Sequence, residues 1–175
     1  AIVRMIGEEN CSFRSLHELV ENRFAVADLY GKLANIYDDL SSETITNTGI
    51  FKILVAGGEI QAEKKFKNSF RFKNTAKLIF SANKVPNTID DTQAFYRRWI
   101  IITFPNQFTD DKADPHLLEK LTRSNCLSYI LKWSAEGLKR LLEQGKFSCT
   151  YNFEEVQEQY LRTSSPVYAF VSDML

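Results

Sequence analysis

Apolar residues come in short bursts up to about residue 104 and in helical stripes beyond it. Ile2, Val3 and Ile6 before Gly7 read as the tail of a helix begun further upstream, so the chain reads as part of a longer one. Ser15 and Glu18 form a capping-box pattern that predicts a short helix through about Glu21. Leu33–Tyr37 predicts a buried strand, and Ile50–Ala56 a helix stopped by Gly57-Gly58. From Ile60 to Lys73 apolar and polar positions alternate, the period of a strand with one buried face. Asn68-Ser69 between the two halves predicts the turn of a β-hairpin. Leu78–Ala82 predicts another buried strand, Asp91 caps a short helix through about Tyr96, and Trp99–Phe104 predicts a buried strand ended by Pro105-Asn106.

Beyond that point helices continue alone. Asp114-Pro115 places an N-cap before a first-turn proline. Leu127, Ile130, Leu131, Leu138, Leu141 and Leu142 form one apolar stripe that includes the core-like surroundings of Trp133 and stops at Gly145. Phe153, Val156 and Tyr160 mark a further helix, Ser164-Ser165-Pro166 a break, and Val167–Leu175 the start of another helix. Strands alternating with helices, then helices only, predict an α/β fold. The expected domains are an α/β core over 1–106, a small helical subdomain over 107–165 and the start of a linker over 166–175.

The chain carries 22 cations and 22 anions, so no global field draws it to nucleic acid and any such binding needs a local patch. No run approaches the roughly 18 apolar residues of a membrane span, and the start lacks the apolar stretch of a secretory signal. Cys11, Cys126 and Cys149 are far apart and form no CxxC pair, which argues against a disulfide framework or a zinc site and for a reducing, cytoplasmic setting.

Four clusters carry candidate chemistry. Asp38-Asp39 ends the first buried strand, the place where open α/β sheets put their chemistry. Carboxylates there suit Mg²⁺, partly through water, and the second can orient an attacking water; the pair also fits a solvated turn. Asn83 closes the Lys77–Asn83 segment and can bond a terminal phosphate, or serve as a turn residue before Val85-Pro86. Arg97-Arg98 can stabilise a transferring phosphoryl group from a neighbouring subunit, or pair with Asp90 and Asp91. Last, residues 64–77 hold Lys64, Lys65, Lys67, Arg71, Lys73 and Lys77 with no Asp or Glu, interleaved with Phe66, Phe70 and Phe72. Cations track a phosphate backbone and exposed aromatics stack on bases. Phe70 and Phe72 read as core-facing, while Lys64, Lys65 and Lys67 near the turn read as nucleic-acid contacts. His17 and His116 have no partnering pattern.

This ordered set resembles the superfamily 3 helicases, and most closely the branch at the C-terminal end of phage, plasmid and viral primase–helicases. The text that carries the resemblance is Asn22–Lys32, Asn35-Ile-Tyr-Asp-Asp-Leu40, Phe51-Lys52, Gly57-Gly58, Ala62–Lys65, Lys77–Asn83 and Ala94-Phe-Tyr-Arg-Arg-Trp99, within a span from about residue 7 to about 171. The resemblance implies a partial AAA+-like, P-loop NTPase core that assembles as a hexameric ring around DNA, with ATP and Mg²⁺ as cofactors. It assigns Asp38 and Asp39 as Walker B acids, Asn83 as the motif C sensor, and Arg98, with neighbouring Arg97, as the arginine finger. Lys52 and Lys64–Lys67 fall in the region that in the family supplies a DNA-contacting hairpin. No Gly-x-x-x-x-Gly-Lys-Ser/Thr loop occurs in these 175 residues; it is expected just upstream of Ala1, and this chain alone is expected to hydrolyse ATP poorly or not at all. The alternatives are a non-catalytic DNA-binding or assembly module on the same fold, and an AAA+ ATPase acting on protein. The cationic hairpin argues against the last.

Overall fold

The computed structural model describes residues 1–109, 113–148 and 151–174. It divides into two compact units: residues 1–8 with 102–151, and residues 9–101 with 152–174.

The first unit holds helix α1 (Ile2–Ile6), stopped by Gly7; its other helices follow below. The second begins at strand β1 (Cys11–Ser12). Helix α2 (Leu16–Glu21) starts at the expected capping box: the Ser15 hydroxyl accepts from the Glu18 amide, and the Glu18 carboxylate accepts from the Ser15 amide. Helix α3 (Arg23–Val26) follows, capped by the Asn22 side chain, and strand β2 (Ala34–Tyr37) lies parallel to β1. Helix α4 (Thr48–Ala56) begins two residues earlier than its apolar pattern, because Asn47 caps it. Gly57 ends it in the left-handed region at φ 67°, a conformation that favours glycine.

Strands β3 (Glu59–Ala62) and β4 (Phe70–Lys73) form the expected antiparallel hairpin. Its reversal lies elsewhere than expected. The Lys67 amide donates to the Lys64 carbonyl and Phe66 sits at φ 62°, so the chain turns at Lys65-Phe66. Asn68 and Ser69 instead lead into β4, where the Ser69 hydroxyl accepts from Gln61. Strand β5 (Lys77–Phe80) joins β2 in parallel, which gives the sheet order β1-β2-β5. Contrary to expectation β5 is not buried: it is an edge strand among the described residues, and Ile79 is 38% exposed.

Helix α5 (Gln93–Tyr96) follows a start organised by Asp90, not by the expected Asp91. One Asp90 oxygen accepts from the Thr92 amide and hydroxyl; the other accepts from the Thr48 hydroxyl at 2.6 Å and the Lys52 ammonium at 2.7 Å. Trp99–Phe104 forms no strand, and Ile100, Ile102 and Phe104 are exposed. No described strand lies beside it to accept its hydrogen bonds, and only Trp99 and Ile101 pack inward.

Helices α6 (Leu117–Leu121) and α7 (Ser124–Gln144) complete the first unit. Asp114 organises the start of α6 from outside, its carboxylate accepting from the His116 amide and pairing with Lys120. Gly145 stops α7 at φ 66°. The expected stripe is present on α7, but no residue of the helix is buried and Trp133 is 65% exposed, so its core assignment is corrected: α1 and α6, five residues each, offer too little surface to cover it. Cys149 lies outside the described residues.

Helix α8 (Phe153–Ser164) opens with a capping box of Asn152 and Glu155. Helix α9 (Pro166–Met174) folds back onto it: Arg162 pairs with Glu158 and Asp173, and Tyr168 donates to Glu158. Both were expected in a helical subdomain and linker. Their packing places them with the sheet unit. Val156 and Tyr160 share one apolar cluster with Leu16, Ile45, Phe51 and Phe95, and the Tyr160 hydroxyl donates to the Pro86 carbonyl at 2.6 Å. Burial of that phenol holds its pKa well above the ordinary tyrosine value. A second cluster joins Leu19, Val26, Leu29 and Leu54 to Ile60 and Phe72 of the hairpin.

The Asp90 contacts generate a pH prediction. Burial pushes this carboxyl up, but the bonds from Lys52, Thr48 and Thr92 outweigh it and hold the carboxyl well below the usual carboxylate range. A depressed folded-state value contributes stability that is complete above the unfolded value of about 3.9 and is lost as pH falls through the folded one. Lys52→Met is expected to cost about 1–3 kcal/mol near neutrality. Urea unfolding should show the gap to the parent protein narrowing below about pH 4.

Candidate functional site

The candidate site is built by the β2–β5 pair. Ala34 to Tyr37 register with Lys77 to Phe80, and the ladder runs on through the Ser81 amide to the Tyr37 carbonyl and the Leu40 amide to the Ser81 carbonyl. Parallel strands end side by side, so Asp38-Asp39 and the segment Ser81-Ala82-Asn83 leave the sheet at the same carboxyl-terminal edge. The Ser81 hydroxyl donates to the Asp38 carboxylate at 2.8 Å, a bridge between the two strand ends that sequence reasoning missed. Its only signal was a hydroxyl at the end of a strand two residues before Asn83. Asp38, Asp39 and Asn83 are all exposed or half-exposed to solvent.

Asp39 sits at φ 57°. This left-handed conformation is uncommon outside glycine and is tolerated best by Asn and Asp. It lets Leu40 return to the ladder and to the core, where it is buried. Behind the site, fully buried Asn35 on β2 accepts from the Arg14 amide at 2.9 Å and donates to the Arg14 carbonyl at 2.8 Å. That bracket fixes the chain as it leaves β1.

The arginines separate. The Arg98 guanidinium is half-buried and donates to the Lys52 and Ala94 carbonyls, whereas Arg97 is exposed with no partner among the described residues. Lys52, expected among the DNA-contacting cations, is engaged in the ion pair with Asp90 and is only 27% exposed at its side chain. Lys64, Lys65 and Lys67 are exposed at the hairpin turn, unpaired among the described residues, around Phe66 at 104% exposure. Phe70 and Phe72 do face inward as expected: they stack on each other and meet the Tyr30 ring edge-on at 5.3 and 5.5 Å. An Arg23–Glu63 ion pair ties the turn end of β3 to α3.

Among the described residues no group of three or more His, Cys, Asp or Glu is arranged to hold a metal by itself. Two solvent-facing carboxylates at one strand end do match a cation that keeps its waters and shares its remaining positions with phosphate oxygens, the habit of Mg²⁺. No helix among the described residues is long and apolar enough to cross a membrane.

A small parallel sheet that delivers acids and an amide to one edge, beside an antiparallel hairpin, defines a mixed α/β protein. Residues 1–98 match the family described as Family of unknown function (DUF5906), and the chain belongs to that family. The comparison with curated proteins found no match.

Backbone strain at Asp39 is directly testable. Asp39→Gly removes the steric cost of the left-handed conformation, so thermal unfolding should show a melting temperature equal to or above that of the parent protein. A marked loss of stability would mean that the carboxylate itself holds the loop.

Proposed function

We propose that this chain carries the Walker B, sensor and hairpin portion of a superfamily 3 helicase-type motor, of the primase–helicase branch, which couples Mg²⁺-ATP hydrolysis to movement along DNA in a homo-oligomeric, hexameric ring. The observation that carries this reading is the neighbouring exit of Asp38-Asp39 and Asn83 from two paired parallel strands. Asp38, oriented by Ser81, and Asp39 would hold the Mg²⁺, Asp38 partly through water. The cation would supply charge neutralisation between phosphate oxygens. Asp39, fixed in a sparsely populated conformation, is suited to orient the attacking water. Asn83 offers an amide to the terminal phosphate from the adjoining strand end. Arg97, exposed and unpaired, is better placed than the captured Arg98 to reach a neighbouring subunit's phosphate, and Arg98 then fixes the helix that presents it. The exposed Lys64-Lys65-Phe66-Lys67 turn is the DNA contact.

A second reading is a non-catalytic DNA-binding module. It is favoured by the capture of Arg98. Activity separates the two. In a polypeptide carrying a phosphate loop ahead of Ala1, Asp39→Asn should abolish ATP turnover, and Arg97→Ala should lower it by about 10³-fold. Mixed rings of the two variants should recover part of the rate. Turnover indifferent to both changes would leave the module reading.

The hairpin has its own test in the chain as it stands. Lys64→Ala with Lys65→Ala should weaken binding of a single-stranded oligonucleotide in fluorescence anisotropy. The slope of log affinity against log salt should become shallower by about 0.7 for each phosphate that is no longer neutralised. An unchanged slope would remove the hairpin from the reading.

A further inference from the structure

The carboxyl-terminal end of β1 opens into a cleft of about 400 Å³ that no part of the nucleotide site uses. That volume lies within the roughly 300–1,000 Å³ of small-ligand sites. Its lining combines two aromatic rings, Phe13 and Tyr30, with three cations, Arg14, Lys32 and Lys64, and one acid, Asp28. Arg14 and Asp28 neutralise each other through a 2.6 Å ion pair. Lys32 donates to the Glu9 carbonyl and keeps donors to spare, and Lys64 has no partner among the described residues. Tyr30 is held upright by its edge contacts with Phe70 and Phe72, yet it remains 57% exposed. Ser12 also lines the cleft. It is 5% exposed, and its hydroxyl has no hydrogen-bond partner among the described residues. A buried polar atom without a partner asks for one from outside.

We propose that this cleft binds a nucleotide, its base against Tyr30 and Phe13, its phosphate on Lys64 and Lys32, and its sugar or phosphate oxygen accepting from Ser12. Stacking faces beside unpaired cations are the chemistry that takes a single nucleic-acid strand, and every base has a face to offer. Lys64 belongs both to this cleft and to the hairpin turn, so a strand gripped at the turn continues into the cleft. The inference rests to that extent on the DNA-contacting reading of the hairpin.

Photocrosslinking reads occupancy directly. The full chain is irradiated with an oligothymidylate carrying 5-iododeoxyuridine, and separately with 5-iododeoxyuridine monophosphate, and the adducts are mapped by peptide mass. The expected result is an adduct at Tyr30 or Phe13. If the oligonucleotide alone gives it, the occupant is a unit of a strand; if the monophosphate gives it equally, the occupant is a free nucleotide. Two variants support the mapping. Tyr30→Leu should lower oligonucleotide affinity by about tenfold. Ser12→Ala should raise the melting temperature of the ligand-free chain by removing an unsatisfied hydroxyl, while weakening oligonucleotide binding. Adducts confined to Phe66, with binding still sensitive to Lys64→Ala and Lys65→Ala together, would overturn the cleft and leave the hairpin standing. No adduct from either probe, with binding indifferent to the lysines, would overturn both.

Discussion

The parallel pairing of Ala34–Tyr37 with Lys77–Phe80 is the constraint on which the candidate site depends. A slip of one residue would turn every side chain of one strand to the opposite face. It would also part Asp38 from Ser81. The register is held at both ends. Lys77 donates to the Leu33 carbonyl where the strands enter, and Leu40 donates to the Ser81 carbonyl where they leave. Buried Asn74 braces the approach to β5: its amide donates to the Leu54 and Ala76 carbonyls, and its oxygen accepts from the Ala76 amide. The end of α4 and the start of β5 therefore share one hydrogen-bonding residue, and the position of the acid-bearing edge is set from the far side of the sheet unit.

Charge is sorted with equal definition. Lys52 and Arg98 both look available in the sequence, but each is drawn inward, one to a carboxylate and one to backbone carbonyls. Lys64, Lys65, Lys67 and Arg97 have no such partners among the described residues and stand in solvent. A cation that is already neutralised contributes little to holding phosphate. The hairpin fits that division. Its inward face is fastened through Ile60 and Phe72, and its turn carries only cations and a ring.

Local signals carried far in the reading of the sequence. Ser15 and Glu18, the Gly57 and Gly145 stops, and the alternation of β3 and β4 act within a few residues, so they were legible without the rest of the chain. The strand end at Asp38 was legible for the same reason, whereas β5 stops at Phe80, short of the expected Ala82. What failed depended on partners. Trp99–Phe104 has the composition of a strand but no described strand beside it, and the α7 stripe has the period of a core helix although no residue of α7 is buried. Lys52 and Asp90, 38 residues apart, find each other only in the folded chain. The cleft at β1 escaped notice because its residues come from three separate segments, none with a motif of its own.

Tyr160 reaches back 74 residues to the Pro86 carbonyl, and the Gln159 amide reaches the Ile101 carbonyl at 3.4 Å. The sheet unit is therefore discontinuous: the chain leaves it after Ile101 and comes back at Asn152. Topologically, residues 102–151 are an insertion between two halves of one body, not an appendage hung from its end. Residues 1–8 join that segment in one compact unit, so each unit is built from two stretches separated along the chain. Trimming the polypeptide back to its strand-bearing half would strip away the helix that closes the host's aromatic cluster.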